Sequence, residues 1–394
     1  MTFFLLTLLT LSFAIERKPI ILVPGLMSTI LESKIDVDDN YQPFPQKCSR
    51  HKGWFRSWVT VKDAISFTDD CYLWYLHGVW NPITNKLENI PGISIRIPQF
   101  GNTYAIDTLC PIPIVKRLTH AFHGLIQHLK NQGYVELFDL FGAGYDWRSN
   151  DVSDEYLKSV KDFIVSGYEN TKRKVVIISH SMGAFITYKL LDYLGKEFCD
   201  TYIDKWIPLS APFLGSGLAI KELLVGENIG LPINEKLARD LGRSIQSIIS
   251  LSPNPDYWSN EPLIVFKKSG KQFFAKDLVD AYNMFDEMKD KAEYILTNSI
   301  RAYYEKYNWT IPFGVETHCG YSLGYETPYR IEFEGDSFDS KYKVIFSNGD
   351  KLVNEESLKA CSLFTPNVTF LGKYRHLKLL ETQKLYDFID PLIH

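Results

Sequence analysis

The chain has 394 residues, of which 45% are hydrophobic and 23% are charged. This composition is typical of a globular protein, since disordered chains are poorer in apolar residues. Lys and Arg number 43 against 47 Asp and Glu, and no basic cluster stands out, which excludes nucleic acid as a partner. The length allows two or three domains of roughly 150 residues, or one α/β domain with insertions, and we expect a monomer.

The first predicted element is a short apolar segment at the N-terminus. Residues 2–15 form a largely apolar run that stops at the charged residues 16–18. The run is shorter than the about 20 residues that span a bilayer, and Ser12-Phe13-Ala14 fits the small-x-small pattern of a signal-peptidase site. We therefore predict a signal peptide at residues 1–14 and a mature domain at residues 15–394, with a membrane anchor as the alternative. The mature protein is expected to be secreted or to reach a lysosomal or vesicular lumen.

Sequons and cysteines agree with an exported chain. The sequons at Asn308 and Asn367 predict N-glycosylation. Six cysteines without a C-x-x-C pair indicate disulfides, because the secretory pathway is oxidising. We expect no metal and no cofactor.

Strand and helix patterns alternate along the mature chain. Residues 18–25 and 174–179 are apolar runs without polar alternation, which is typical of buried parallel strands. Apolar residues at helical spacing predict a helix over 114–133 that ends at Gly133. Further patterns predict a helix from Met182 to Leu194 and core strands at 205–210, 342–347 and 368–371. This order predicts a doubly wound α/β fold with a mostly parallel sheet.

Two stretches interrupt this alternation. Residues from about 40 to 98 and from about 215 to 330 are rich in Pro, Gly and aromatic residues. We interpret both as insertions on the core rather than as separate domains.

The most informative motif lies between a predicted strand and a predicted helix. Residues 175–183 read Val-Val-Ile-Ile-Ser-His-Ser-Met-Gly, with Ser181 at the turn. A nucleophile elbow exposes its serine on such a turn and needs small residues two places on either side, here Ser179 and Gly183. The usual first Gly is replaced by Ser179. A buried serine at a helix N-cap is the alternative interpretation.

A serine nucleophile needs a base and a carboxylate, which follow it in the order Ser, acid, His on this class of fold. His376 follows the last predicted strand, and Asp350 lies on an Asn-Gly turn after the preceding strand. We predict a triad of Ser181, Asp350 and His376. His180 is expected to point away from the site, and the histidines of the long helix, at positions 120, 123 and 128, are expected to be packed or solvated.

The oxyanion that forms during acyl transfer needs backbone N–H donors. One normally belongs to the residue after the nucleophile, here Met182, and the other to the loop after an early strand. That loop is Val23-Pro24-Gly25-Leu26, so Leu26 is the second candidate. A plain tight turn is the alternative.

These residues resemble those of the lecithin:cholesterol acyltransferase and lysosomal phospholipase A family, within the α/β-hydrolase superfamily. The likeness rests on these stretches of the sequence: 19–25, 91–98, 100–104, 144–148, 180–183, 209–212, 348–350 and 376–377. The resemblance implies an α/β-hydrolase fold with a disulfide-closed membrane-binding insertion, a cap or lid insertion, and the triad and oxyanion donors given above. It also implies the disulfides Cys48–Cys71 and Cys319–Cys361. Departures from the family pattern lie at Ser179, at Leu26 and at residues 213–215.

The family implies a serine-dependent lipid acyl hydrolase and O-acyltransferase. It would cleave an acyl ester of a glycerophospholipid at a membrane surface or lipid particle through an acyl-enzyme, and pass the acyl group to water or to a lipid alcohol. The sequence leaves the acceptor open. A non-lipid secreted serine esterase and a catalytically silent lipid-binding protein remain as alternatives.

Trp54, Phe55 and Trp58 form an aromatic group inside the Cys48–Cys71 loop. Indole rings favour the membrane interface because an apolar body and a polar N–H are both satisfied there. The pattern has neither the period of a strand nor the length of a helix, and we predict that these three residues bind the membrane, with a satellite core as the alternative.

Overall fold

The computed structural model describes residues 17–58, 71–110, 119–227, 234–258, 260–298 and 300–394. The predicted signal peptide, residues 1–14, lies outside the described residues. Within the described ranges, no helix has the length and apolar character needed to cross a membrane.

The described residues contain the following strands: β1 Ile20–Val23, β2 Leu31–Asp36, β3 His51–Trp58, β4 Gly78–Asn81, β5 Lys86–Asn89, β6 Ile93–Arg96, β7 Leu140–Gly142, β8 Val175–His180, β9 Ile203–Leu209, β10 Ile264–Phe266, β11 Gln272–Phe273, β12 Glu316–Thr317, β13 Cys319–Ser322, β14 Tyr325–Phe333, β15 Tyr342–Gly349 and β16 Val368–Gly372.

The α-helices of the same ranges are α1 Cys71–Leu76, α2 Tyr104–Asp107, α3 His123–Asn131, α4 Asp154–Thr171, α5 Gly183–Leu194, α6 Lys196–Tyr202, α7 Gly217–Leu224, α8 Glu235–Ser244, α9 Gln246–Ser250, α10 Leu278–Tyr282, α11 Ala292–Thr297, α12 Ile300–Lys306, α13 Glu355–Leu358 and α14 Gln383–Ile393. Short 3₁₀ turns cover Ala275–Asp277, Pro312–Gly314, Lys359–Leu363 and Lys378–Glu381.

A seven-stranded sheet forms the centre of the fold, in the order β16-β13-β9-β8-β1-β7, with β12 also pairing with β9. Every described strand pair of this sheet is parallel. Successive residues of β1 enter different cores: Ile21 and Val23 belong to the larger hydrophobic cluster, and Ile20 and Leu22 to the second. Burial of both faces explains why this strand has no polar alternation.

Helices cover both faces of the central sheet. Leu157, Val160 and Ile164 of α4 pack in the larger cluster. Leu125, Ile126 and Leu129 of α3 pack in the second cluster, together with Leu385 and Ile389 of α14. The predicted doubly wound α/β fold is therefore confirmed.

Three predicted elements differ from the structure. The strand predicted at 342–347 is β15, which pairs antiparallel with β14 in a separate four-stranded sheet, β11-β10-β14-β15. Its residues are mostly half-buried or exposed, whereas the core position before β16 is taken by β13. The apolar run correctly predicted a strand, but it did not show to which sheet the strand belongs.

The helix predicted from residue 114 begins at His123 in the structure. His120 instead forms a bridge with Thr108, and residues 111–118 lie outside the described part. The predicted stop signal is correct to within two residues: the helix ends at Asn131, and Gly133, after the C-cap residue Gln132, has a φ of +89°.

The predicted insertion boundaries also differ. Residues 316–322, inside the range of 215–330, supply β12 and β13 of the central sheet. In the early insertion, residues 51–58 form β3, the edge strand of the three-stranded sheet β3-β2-β6, where the aromatic segment was expected to lack strand structure.

Candidate active site

Ser181 lies at the turn between β8 and α5 with a φ of +55°. This left-handed conformation is uncommon for residues other than glycine, and its cost is a local backbone strain that the surrounding structure must hold in place. Two glycines leave room for this turn. A Cβ on Gly183 would lie 2.4 Å from the Val23 carbonyl oxygen, and a Cβ on Gly25 would lie 2.8 Å from the Ser181 Cβ. The elbow therefore packs directly against the loop that follows β1.

The departure at Ser179 has a structural explanation. The indole Nε1 of Trp206, on the neighbouring strand β9, donates a hydrogen bond of 2.8 Å to Ser179 Oγ. Both residues are fully buried. A glycine at 179 would leave a buried indole N–H without this acceptor, at a cost of about 1–3 kcal/mol.

Asp350 and His376 are in direct contact. The ring Nδ1 of His376 donates to Asp350 Oδ2 at 2.6 Å, and the His376 backbone N–H donates to the Asp350 carbonyl oxygen at 2.9 Å. The other carboxylate oxygen accepts from the backbone N–H groups of Leu352 and Val353 at 3.1 and 2.9 Å. Both side chains are buried. These bonds hold the carboxylate in one orientation and fix the tautomer of His376 with Nε2 as the free acceptor.

Ser181 and His376 line one cavity. Among the described hydrogen bonds, none joins the Ser181 hydroxyl to the His376 ring. Such bonds are often long in ligand-free enzymes and shorten when substrate binds.

We expected His180 to point away from the site, but its ring contacts His376. Its Nε2 donates to the backbone carbonyl of His376 at 3.3 Å, and the two rings are 4.5 Å apart between centroids. Full burial lowers the pKa of His180 well below its usual value, and the nearby His376 lowers it further. His180 is therefore a neutral ring that supports the backbone of His376.

The loop after β1 carries the predicted oxyanion donor Leu26. The Ser28 N–H donates to the Gly25 carbonyl at 3.2 Å, which closes a tight turn, and Met27 has a φ of +57°. Leu26 lines the same cavity as Ser181. Met182, the other predicted donor, is fully buried at the start of α5.

The cavity has a volume of about 590 Å³, and most of its wall is apolar. Pocket volumes of this order accommodate drug-sized apolar ligands. Leu218 and Ala219 of α7 and Ile248 of α9 form part of the wall, so the 215–260 region contributes to the site.

Glu222 of α7 also lines the cavity and was not identified from the sequence. Burial raises the pKa of its carboxyl to about 8, with a further contribution from the charge of Glu227. The residue is therefore protonated at neutral pH. Its place one turn after Leu218 on a helix with an apolar face was the available sequence signal.

The three predicted membrane residues are placed differently from one another. Trp54 is 41% exposed, and Phe55 packs edge-on against Tyr75 at 5.5 Å. Trp58 is only 4% exposed, its ring lies 5.0 Å from that of Trp147, and its Nε1 donates to the Met27 carbonyl at 2.7 Å. A buried side chain cannot reach a bilayer, so the docking role predicted for Trp58 is wrong in this structure. Residues 59–70 of the same loop lie outside the described part.

The remaining predicted residues have these positions. The structure joins Cys48 to Cys71 and Cys319 to Cys361, and Cys110 and Cys199 are free and buried. Asn308 and Asn367 are both exposed, and the Asn367 amide donates to the Thr317 carbonyl at 3.3 Å.

A serine with a positive φ at a strand–helix elbow lines one apolar cavity with a histidine whose ring is bonded to a buried aspartate. These features define the class of protein: it has an α/β-hydrolase fold, and these three side chains are the candidates for an acyl-transfer site. Residues 54–312, more than half of the chain, match the family model described as lecithin:cholesterol acyltransferase. The chain belongs to that family.

Two relatives agree with this assignment, and one solved structure agrees with the fold. The chain is 28% identical to the lysosomal phospholipase A and acyltransferase of Canis lupus familiaris over 88% of this chain and 82% of the relative. It is also 28% identical to the phosphatidylcholine-sterol acyltransferase of Gallus gallus, over 87% and 81% respectively. A chain in the crystal structure of the Tle4–Tli4 complex shares the fold with a TM-score of 0.55, at 14% identity and with coverage of 96% and 99%.

Proposed function

We propose that this protein is a serine-dependent acyl hydrolase and O-acyltransferase that acts on glycerophospholipid esters. The observation that carries the proposal is that His376, bonded to the buried Asp350, lines the same apolar cavity as Ser181, in a chain of the lecithin:cholesterol acyltransferase family. The names of the relatives, a phospholipase A and acyltransferase and a phosphatidylcholine-sterol acyltransferase, support this substrate class.

In the proposed mechanism, Ser181 Oγ attacks the carbonyl carbon of the ester while His376 Nε2 takes its proton. Asp350 holds the ring and stabilises the imidazolium that forms. The backbone N–H groups of Leu26 and Met182 stabilise the oxyanion. His376 then returns the proton to the leaving alcohol, so a lysophospholipid departs and an acyl-Ser181 ester remains.

The acyl-enzyme is resolved by the reverse steps. His376 removes a proton from the acceptor hydroxyl, the acceptor oxygen attacks the acyl carbon, and Ser181 regains its proton. Water as acceptor gives a free fatty acid, and a lipid alcohol gives a new ester. We propose that both acceptors are used, because the name of one relative joins phospholipase A with acyltransferase.

We also propose a lumenal or extracellular location and docking on a phospholipid surface. Exposed Trp54 supports docking, with Lys52 and Arg96 within 3.5 and 4.2 Å of the rings of Phe55 and Trp54. The sequons at Asn308 and Asn367 on the exposed surface support passage through the secretory pathway.

The test is to incubate the purified protein with phosphatidylcholine vesicles, with and without a sterol. We expect lysophospholipid and free fatty acid in both samples, and sterol ester in the second. The Ser181→Ala variant is the control for product that does not depend on the site. Absence of lysophospholipid from the wild-type reaction, with cleavage of a soluble ester retained, would instead support a non-lipid esterase.

A further inference from the structure

Two cationic side chains lie beside the candidate triad and are not used by the proposed mechanism. Lys351 directly follows Asp350, and Arg375 directly precedes His376. Both line the cavity that contains Ser181. Because adjacent Cα atoms are about 3.8 Å apart, hydrogen bonds that fix Asp350 and His376 also fix the backbone from which these cations extend.

The local backbone restricts both residues. Lys351 has a φ of +90°, and its N–H donates to Thr327 Oγ1 at 3.0 Å. The Arg375 guanidinium lies 5.7 Å from the centre of the Tyr325 ring, and the backbone of Tyr325 bridges to Asp350. The two cations therefore extend from neighbouring segments of the cavity wall.

The charged groups of Lys351 and Arg375 are not held in ion pairs within the described part of the chain. Among the described residues, neither forms an ion pair, whereas the other charged groups of the cavity wall are largely compensated. Lys378 pairs with Glu381 at 2.8 Å, and Glu227 pairs with Lys221 at 2.6 Å. Glu222 is neutral at pH 7 for the reason given above. Two cations thus remain against one unpaired carboxylate of the described lining, that of Glu326.

We propose that Lys351 and Arg375 form a subsite for the phosphate diester of the glycerophospholipid head group. This inference rests on the proposed function. In a glycerophospholipid, only a few bonds separate the ester carbonyl carbon from phosphorus. When that carbonyl lies at Ser181, the phosphate lies a few bond lengths away in the same cavity, whose wall includes Lys351 and Arg375. Arg can hold two phosphate oxygens through its planar fork, and Lys supplies a point charge.

A general positive surface is the competing explanation, and the chain offers a matched control for it. Lys373 Nζ lies 5.4 Å from the centre of the same Tyr325 ring, but Lys373 does not line the cavity. It is exposed and, like Arg375, has no ion pair among the described residues. Removing its charge should change the surface field as much as removing that of Arg375, without touching the proposed subsite.

The experiment compares two soluble substrates that differ only in the head group: dihexanoylphosphatidylcholine below its micellar concentration and dihexanoylglycerol. For Arg375→Gln and for the double variant with Lys351→Gln, we expect the ratio of kcat/KM values, phospholipid over diacylglycerol, to fall at least about tenfold through a higher KM. The Arg375→Lys variant should recover part of that ratio, and Lys373→Gln should leave it within about twofold.

Salt provides a second measurement. Because exposed ionic contacts are screened, the wild-type ratio should fall as NaCl rises, and the ratio of the double variant should not. Inorganic phosphate distinguishes a head-group subsite from a free-phosphate site. We expect weak inhibition of dihexanoylglycerol cleavage, since the acyl chains no longer anchor the anion. Inhibition by submillimolar phosphate that Arg375→Gln abolishes would overturn the head-group assignment.

The outcomes separate this inference from the proposed function. If the wild type cleaves both substrates and the double variant keeps the wild-type ratio, the subsite is wrong and the function stands. If Lys373→Gln lowers the ratio as much as Arg375→Gln, a diffuse surface field replaces the subsite. If the wild type cleaves only dihexanoylglycerol, the proposed function fails and the subsite fails with it.

Discussion

The side chains of the candidate site are held largely by hydrogen bonds to backbone groups. Asp350 accepts two backbone N–H groups besides the His376 ring, and His180 donates to the His376 carbonyl. Removing one reacting group should therefore leave the arrangement of the others intact.

The first prediction follows for Ser181→Ala, which deletes one hydroxyl at the elbow. We expect acyl transfer to fall by roughly 10⁴-fold or more, because a nucleophile, base and acid act as a unit. The melting temperature should stay within a few degrees of the wild type. The measurement is turnover of phosphatidylcholine vesicles, with labelling by a fluorophosphonate as the control. Covalent labelling of the variant would identify a different serine as the nucleophile.

Glu222 gives a prediction about stability and pH. Its carboxyl titrates near 4.5 when unfolded and near 8 when folded, because burial favours the neutral form. Between these values the folded state holds a proton that the unfolded state has lost, so stability falls as pH rises from about 4.5 to about 8. Glu222→Gln removes this dependence.

The gain in unfolding free energy of Glu222→Gln should be near zero at pH 4.5 and on the order of 4 kcal/mol at pH 7.5, at about 1.4 kcal/mol per pH unit. Denaturant unfolding of both proteins at several pH values measures it. The comparison is needed because His77, whose pKa burial lowers to about 4, makes stability rise between about pH 4 and 6.5 in both proteins. Glu293→Gln, on the exposed surface of α11, is the control. A gain that is the same at every pH would contradict the assigned cause.

For single residues, the sequence predicted the site correctly where the local geometry allows only certain residue types. The motif around Ser181 identified the elbow, because only small residues fit at 179 and 183. It could not show that Trp206 donates to Ser179, since that contact joins two strands. Glu222 was missed for the same reason: its burial depends on how α7 packs over the cavity.

Among the elements, the buried strands β1 and β8 and the helix α5 were predicted correctly because burial on both faces or a 3.6-residue period leaves a strong pattern. The strand β15 was assigned to the wrong sheet. Its local sequence carries no information on whether its partner is β14 or a core strand, because pairing depends on distant residues. The strand β3 was missed since aromatic residues on both of its faces hide the two-residue period.

The three-stranded sheet β3-β2-β6 lies beside a small cluster that contains a disulfide. Cys48 and Cys71 are both buried in a small cluster with Ile35, Val37 and Phe44, separate from the central cores. Their bond closes a loop with a sequence separation of 23 residues. Loop entropy of this size corresponds to about 3 kcal/mol.

We therefore expect the double variant Cys48→Ser/Cys71→Ser to loosen this sheet while the central sheet stays folded. Hydrogen exchange should show faster exchange in β2, β3 and β6 and unchanged protection in β1 and β8. The matched control is Cys319→Ser/Cys361→Ser, which should affect β13 and the 3₁₀ turn at Lys359–Leu363 instead. Equal loss of protection in the central sheet would show that the small cluster and the core unfold together.

For the whole molecule, the question is how the cavity would meet the phospholipid surface proposed above. The edge strand β3 connects the two: Trp54 is exposed in the middle of the strand, and Trp58 at its end is buried against the loop that carries Leu26. One strand thus carries a residue suited to docking and a residue suited to positioning an oxyanion donor. Their variants should have different consequences.

The last prediction compares Trp54→Ala with Trp58→Phe. Trp54→Ala removes an exposed indole, so vesicle binding and vesicle turnover should fall severalfold relative to turnover of a soluble short-chain ester. Trp58→Phe keeps a ring against Trp147 but removes the hydrogen bond to the Met27 carbonyl, which frees the oxyanion loop. We expect kcat to fall by about tenfold or more on vesicles and on the soluble ester alike, because the loss of one oxyanion donor costs up to roughly 10²–10³ in kcat. Vesicle sedimentation and the two assays measure these effects. A Trp58→Phe enzyme that loses only vesicle turnover would return Trp58 to the docking surface and would mean that the loop after β1 is held by other contacts.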